Sequence, residues 1–451
     1  MSRQTAIARV GDCGNEPDTY NSKQKEEGAI SLIGYRLLLL TSVVTWGVCC
    51  AAAVGSEVID DCDEVGQWRP LSGRPTPEVA RVSVGRNGGA LRISFHESKE
   101  SQFAGRGVTA DEGWSRAAGL SFWMKGDGSD GFVAVTVLDE TLTRRHAALL
   151  SLRPREWQRV RLRWEDFVPE TMAIDWFRSP TARMKPSQIR AIWFGRWFYL
   201  RPWQACSFEV DDLRLEERID AKPSLTPPAS GIPRTMAKLK AKQKVSITAL
   251  GDSITSGYRL KNPEREAWPA VLEKGLRKEF DYKDVEVRNR GIAGIETRQS
   301  IALLPRDIGV APPDLAIAHF GYNDLTAMEE RRIPRLLRRQ IASRNFVELV
   351  KRIRQVSDDK TEVLLIATVP GGNRARRSAL DFIGEEAQRV ATELKCGFTD
   401  LPRQTFQTIL EKKGPKELFA KMPDGSQDVS HPHKDGQKVF AEALLKVFSV
   451  R

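Results

Sequence analysis

Ser253 stands in the run Lys244 to Gly257, K-V-S-I-T-A-L-G-D-S-I-T-S-G, immediately after Gly251 and Asp252. A serine hydroxyl becomes a useful nucleophile when a base removes its proton, and an imidazole oriented by a carboxylate is such a base. The chain has only five histidines, and one of them, His431, lies three residues after a carboxylate in Asp428-Val-Ser-His431-Pro432. One helical-type turn brings the two side chains of such a pair to the same side. His433 is a rival base at a spacing that suits Asp428 less well. Two further stretches could hold a developing oxyanion: Asn289-Arg-Gly291-Ile-Ala-Gly294 and Gly321-Tyr-Asn323-Asp324. A glycine lets a backbone N–H come close to a substrate oxygen, and an asparagine amide adds a donor with no charge to desolvate. Gly291 and Gly294 both fit the first role. Taken singly, each feature has a plainer reading: a surface turn for Asp428 and His431, a loop turn for Gly294, a turn or helix cap for Asn323.

The elements around these residues put them at one edge. Apolar β-leaning runs at 245–250, 285–288, 315–319, 363–369 and 397–400 alternate with amphipathic stretches at 267–280, 333–356 and 378–394, and a last helix begins near Gly436. Such alternation predicts a parallel sheet with helices on both faces. The run V-L-L-I-A-T-V at 363–369 is apolar on both faces, as an interior parallel strand is. Ser253, Gly294 and Asn323 each follow a strand, and the carboxyl ends of strands in open α/β sheets are where ligands bind.

Together, Gly251-Asp252-Ser253, Gly294, Gly321-x-Asn323-Asp324 and Asp428-x-x-His431-Pro432 resemble, in order and spacing, the four blocks of the SGNH (GDSL-type) hydrolase family. The resemblance covers residues 244–451; the first block reads G-D-S-I where the family has G-D-S-L. It implies an α/β, flavodoxin-like three-layer sandwich. It also implies a catalytic triad of Ser253, His431 and Asp428, with an oxyanion hole made by the backbone N–H groups of Ser253 and Gly294 and the Asn323 amide. The implied reaction is ester hydrolysis through an acyl-enzyme, with no cofactor and no metal.

Residues 57–216 form a different block, with nine tryptophans at 68, 114, 123, 157, 164, 176, 193, 197 and 203. Alternating runs at 91–95, 120–124, 132–138, 160–164 and 208–215, separated by glycine-rich turns, predict an all-β sandwich. The runs V-I-D-D-C-D, W-Q-R-V-R-L-R-W-E-D-F and F-E-V-D-D-L-R-L resemble galactose-binding-like jelly rolls, which implies a carbohydrate-binding module. Most of its tryptophans are expected as packing. Residues 217–243, with four prolines between Ala221 and Pro233, read as a semi-extended linker to the catalytic domain at 244–451. Of six cysteines, Cys62, Cys206 and Cys396 fall in folded regions. Cys62 and Cys206 sit in the first and last strands of the sandwich, so a bridge between them is an expectation, set against two buried thiols. No cysteine or histidine spacing suggests a metal.

The chain opens with a polar leader, and residues 29–54 are apolar with the single charge Arg36. Residues 1–56 thus read as a leader plus a cleaved signal peptide or a retained membrane anchor, with the remainder exported. Secretion, or a periplasmic or cell-surface location, follows. The formal net charge is +11, but the basic residues are dispersed, no nucleic-acid motif appears, and the run Arg331 to Arg339 reads as a solvated helix face. The expected activity is a secreted serine esterase removing O-acetyl groups from an acylated polysaccharide. The alternatives are a lipase or lysophospholipase and, in another class, a non-catalytic glycan-binding protein of the cell surface.

Overall fold

A computed structural model describes residues 56–72, 74–140, 145–169, 184–196, 203–220, 230–372, 374–422 and 424–449. The apolar segment 29–54, Trp176, Trp197 and the proline-rich residues 221–229 lie outside them. Among the described residues no helix is long and apolar enough to cross a membrane.

The tryptophan-rich block forms strands β1 (Glu57–Asp60), β2 (Arg69–Ser72), β3 (Glu78–Val82), β4 (Ala90–Phe95) and β5 (Phe103–Gly107), a short helix α1 (Glu112–Arg116), and then β6 (Gly119–Gly126), β7 (Phe132–Asp139), β8 (Arg145–Ser151), β9 (Gln158–Arg163), β10 (Val168–Pro169), β11 (Ile189–Gly195) and β12 (Cys206–Glu216). They pair antiparallel into two sheets, β3-β4-β12-β6-β9 with β1 beside β12, and β10-β8-β7-β11-β5-β2. This is a jelly-roll type of sandwich. Period-2 alternation sends Leu91, Ile93 and Phe95 of one sheet and Val133, Val135 and Val137 of the other into a shared core with Trp68 and Trp114.

No Cys62–Cys206 bridge exists, and both thiols are free. First and last strands are neighbours, but the register pairs Asp60 with Leu213, whereas Cys206 lies at the far end of β12 opposite Phe95. Seven residues of strand span about 23 Å, against the roughly 7 Å that a disulfide tolerates. Burial pushes the Cys62 thiol up to about 12.

Part of the stretch expected as a linker is a helix, α2 (Pro233–Lys240). Its first N–H groups, on Arg234 and Thr235, donate to the buried Glu362 carboxylate at 2.9 and 2.7 Å, which supplies the partners a helix start lacks. The carboxyl-terminal part then runs β13 (Val245–Gly251), α3 (Ser253–Ser256), α4 (Pro263–Glu266), α5 (Trp268–Glu279), β14 (Val285–Gly291), α6 (Thr297–Leu304), β15 (Leu315–His319), α7 (Tyr322–Glu330), α8 (Arg335–Val356), β16 (Glu362–Ile366), α9 (Arg374–Glu393), β17 (Gly397–Thr399), α10 (Leu401–Lys413), the hairpin β18 (Phe419–Lys421) and β19 (Gln427–Pro432), and α11 (Lys434–Leu445). The five long-range strands are all parallel, in the order β14-β13-β15-β16-β17. Counted from β13 that is 2-1-3-4-5, the flavodoxin-like order, whose ligand crevice opens where strands one and three part company.

The described residues from 56 onward form one compact unit, and the sandwich packs directly on the α/β part. While Val133, Val135, Ala148 and Leu150 face the sandwich core, the intervening Ala134, Ala147 and Leu149, with Val168 of β10, join the core of the α/β domain. The second sheet is therefore buried on both faces. A polar clasp completes the junction: Arg352 of α8 donates to Asp166 at 2.6 Å and to the carbonyl of Glu165.

Candidate active site

Strand β13 ends at Gly251, and Asp252 caps α3, its carboxylate accepting the Ile254 N–H at 2.9 Å. Ser253 is thus the first residue of a short helix at the crevice. Asp252 is fully enclosed: burial pushes its carboxyl up to about 7 against the pull of the Ile254 N–H, and the nearby Asp324 adds to the rise.

His431 Nε2 lies 3.2 Å from Ser253 Oγ, and His431 Nδ1 lies 2.8 Å from Asp428 Oδ2. The carboxylate and the ring do not meet across a helical turn as expected. Both belong to the extended strand β19, and Asp428 folds back so that Oδ1 accepts the N–H groups of Ser430 and His431 at 2.7 and 3.0 Å. Burial alone would raise the Asp428 carboxyl, but those two N–H groups and the imidazole outweigh it and hold it below the usual carboxylate range. With Asp428 as acceptor, Nδ1 carries the proton and Nε2 faces the serine as a base. His433 is occupied elsewhere. Its Nδ1 accepts the N–H groups of Asp435 and Gly436 to cap α11, and its Nε2 meets the Lys416 carbonyl.

The two glycine rivals have different surroundings. Gly291 is the last residue of β14, and a Cβ there would strike the backbone of Thr255 and Ser256 in α3, so it lets the strand and the nucleophile helix touch. Gly294 has φ of 80° in a turn that leaves open space at its Cβ position. That turn is tied at both ends: Ile292 N–H donates to the Gly251 carbonyl at 3.0 Å, and Thr297 donates through its N–H and hydroxyl to Asp324. Asn323, second residue of α7, donates to the Ile295 carbonyl at 3.0 Å and so lies against the same turn. Ser253, Gly294, Asn323, Asp428 and His431 thus come from the loops after β13, β14 and β15 and from the late hairpin.

Several contacts at the site had no signal in composition or spacing. Tyr322 and Ser430 share a hydroxyl–hydroxyl hydrogen bond of 2.7 Å that joins α7 to the histidine strand. Buried Gln437 accepts from the Trp268 N–H and donates to the Ile254 carbonyl, tying α11 to α3. Arg259 places Nε 3.1 Å from Asp428 Oδ2. Only the proximity of the Tyr258-Arg259 pair to Ser253 could have drawn attention to it. Among the described residues no cluster of side chains is fit to hold a metal ion.

Residues 249–439 match the family model described as GDSL-like Lipase/Acylhydrolase. The stretch is a GDSL-like acylhydrolase domain. An arylesterase of Vibrio mimicus is 34% identical over 88 residues, which are 20% of this chain and 41% of that protein, so the chain spans less than half the length of this curated relative. Among solved structures, an acetylxylan esterase from Geobacillus stearothermophilus is similar over 46% of this chain and 95% of its own, with 20% identity and a TM-score of 0.38. A family 11 carbohydrate-binding module from Clostridium thermocellum is similar over 38% of this chain and all of its own, at 16% identity and a TM-score of 0.30.

Proposed function

We propose that this chain is a secreted serine esterase that removes O-acetyl groups from a polysaccharide. The observation that carries the esterase reading is the continuous relay from Ser253 through His431 to Asp428, at 3.2 and 2.8 Å, within an acylhydrolase domain. Ser253 Oγ attacks the ester carbonyl as its proton passes to His431 Nε2, and the carbonyl electrons move onto oxygen. Asp428 stays ionised and stabilises the imidazolium. The Gly294 turn and the Asn323 amide flank the position where the oxyanion forms. Collapse expels the alcohol, which takes the proton from His431, and a water repeats the sequence to release the acid.

Support for a glycan substrate comes from the attached sandwich. Its first sheet carries Trp123, with the guanidinium groups of Arg86 and Arg159 at 4.9 and 5.6 Å from the ring centre, beside a cleft of about 1290 Å³ that runs between sandwich and acylhydrolase. Support for export comes from the apolar stretch at 29–54. The decisive measurement is acetate release from a panel of acetylated polysaccharides, together with a chain-length series of p-nitrophenyl esters. The Ser253→Ala variant should lose turnover of p-nitrophenyl acetate entirely; a wild-type rate in that variant refutes the assignment. Preference for acetate supports the deacetylase, and a rise toward long acyl chains would replace it with a lipase.

A further inference from the structure

The residues that follow the nucleophile helix form an unusual corner. Tyr258 donates its N–H to the Ser253 carbonyl at 3.0 Å, one turn after the serine, and the chain then turns through Arg259 with φ of 72°. A non-glycine residue in the left-handed region persists where its surroundings hold it, and here both side chains are held. The Arg259 guanidinium lies 5.3 Å from the centre of the Tyr258 ring while its Nε sits 3.1 Å from Asp428 Oδ2. The Tyr258 ring meets the His431 ring at 5.0 Å and 61°. Although it touches two members of this assembly, Tyr258 is 47% exposed, and it is the one aromatic among the exposed large hydrophobic side chains of the described residues.

We infer that Tyr258 is a platform for the alcohol half of the ester, a pyranose ring in a glycan, and that Arg259 is a positioning residue that fixes the platform by anchoring on Asp428. This rests on the esterase reading and adds the substrate surface to it. The side of the site follows from the chemistry. His431 Nε2 must return its proton to the leaving oxygen, so a group packed against the imidazole lies beside the departing alcohol. In the esterase reading Gly294 and Asn323, in the loops after β14 and β15, take the carbonyl oxygen. An aromatic ring offers an apolar face to the C–H face of a sugar and, in tyrosine, a hydroxyl that bonds to its rim. In contact with a guanidinium and an imidazole, the ring enters the complex already oriented and loses little side-chain freedom there.

The test compares two acetyl esters that differ only in the alcohol, ethyl acetate and a mono-O-acetylated methyl pyranoside, using the full chain. Tyr258→Ala should raise KM for the pyranoside about tenfold more than it raises KM for ethyl acetate, with the two kcat values changing in parallel. Tyr258→Trp should recover the pyranoside KM. Arg259→Ala should raise the pyranoside KM and also lower kcat on ethyl acetate, because it loosens Asp428, and Arg259→Lys should restore kcat more fully than KM. Equal loss on both esters in Tyr258→Ala, at an unchanged unfolding midpoint, would overturn the platform and leave the tyrosine as packing for His431. A wild-type chain that cleaves ethyl acetate but not the pyranoside would overturn the platform alone. Failure to cleave either ester would overturn the esterase reading with it.

Discussion

Asp428 serves three neighbours with one carboxylate. Oδ1 takes two backbone N–H groups, and Oδ2 takes both the imidazole and the Arg259 guanidinium. The backbone bonds fix the carboxylate in a strand where an i, i+3 pair would otherwise diverge, which is why the expected helical turn was not needed. In the proposed mechanism the Asn323 amide is the side-chain donor of the oxyanion site. Its removal should lower kcat on p-nitrophenyl acetate on the order of a hundredfold with little change in KM, since one oxyanion donor is worth about 3 kcal/mol in the transition state. A KM effect without a kcat effect would place Asn323 in ground-state binding instead. At this scale the sequence was informative where chemistry demands a residue type next to a strand end, as with Ser253 and His431. It was silent on Arg259, whose role depends on a left-handed backbone that no spacing announces, and it left His433 open until its ring proved to be a helix cap.

The elements behind these residues explain a pH response. His319, the last residue of β15, is completely buried, packs edge-on against Phe440 at 5.1 Å, and accepts the Val369 N–H through Nε2 at 3.3 Å. Burial pushes this imidazole down to about 3. Between pH of about 6.5 and 3 the unfolded chain therefore binds a proton that the folded chain refuses, and stability falls as the medium is acidified through that window. Asp252 works in the opposite direction: its carboxyl, held near 7, makes the folded chain the better proton acceptor above about pH 4. Urea midpoints between pH 7 and 4 should separate the two, because His319→Gln removes the first contribution and flattens the acid-side decline relative to wild type. Identical slopes for the two proteins would contradict the buried neutral imidazole.

Element recognition itself followed periodicity. Strands at 245–251, 285–291 and 315–319 and helices α5, α8, α9 and α11 carry clear apolar rhythms. Helices α6 and α7 do not. Seven of the eight residues of α6 are buried, polar ones included, so no polar face marks it. The continuous apolarity of β7, F-V-A-V-T-V-L-D, was legible as a sandwich strand, but its second buried face pointed to a neighbour that only the assembled chain reveals.

For the whole molecule, the sandwich and the acylhydrolase should unfold together. Nine of the eleven tryptophans lie in residues 57–216, so tryptophan emission follows the sandwich, while the proposed esterase activity would follow the other domain. The two urea transitions should coincide in the wild type. Arg352→Ala removes the donor that α8 supplies to Asp166 and to the Glu165 carbonyl, leaving Asp166 to Arg163 alone, and should lower the unfolding free energy by about 2 kcal/mol, with the emission transition moving at least as far as the activity transition. Two separate transitions in the wild type would show that the junction carries no coupling.

The double-sided burial of β7 and β8 bears on how such chains can be recombined. A module on a tether can be exchanged for another, because nothing but the tether joins it to its enzyme. Here Ala134, Ala147, Leu149 and Val168 fill hydrophobic space that belongs to the α/β domain, so an exchanged sandwich would have to bring a matching outer face. Excision of residues 57–216 would not leave the acylhydrolase domain intact. It would uncover an apolar wall beside α6, and the fragment should precipitate or recruit another surface to cover it.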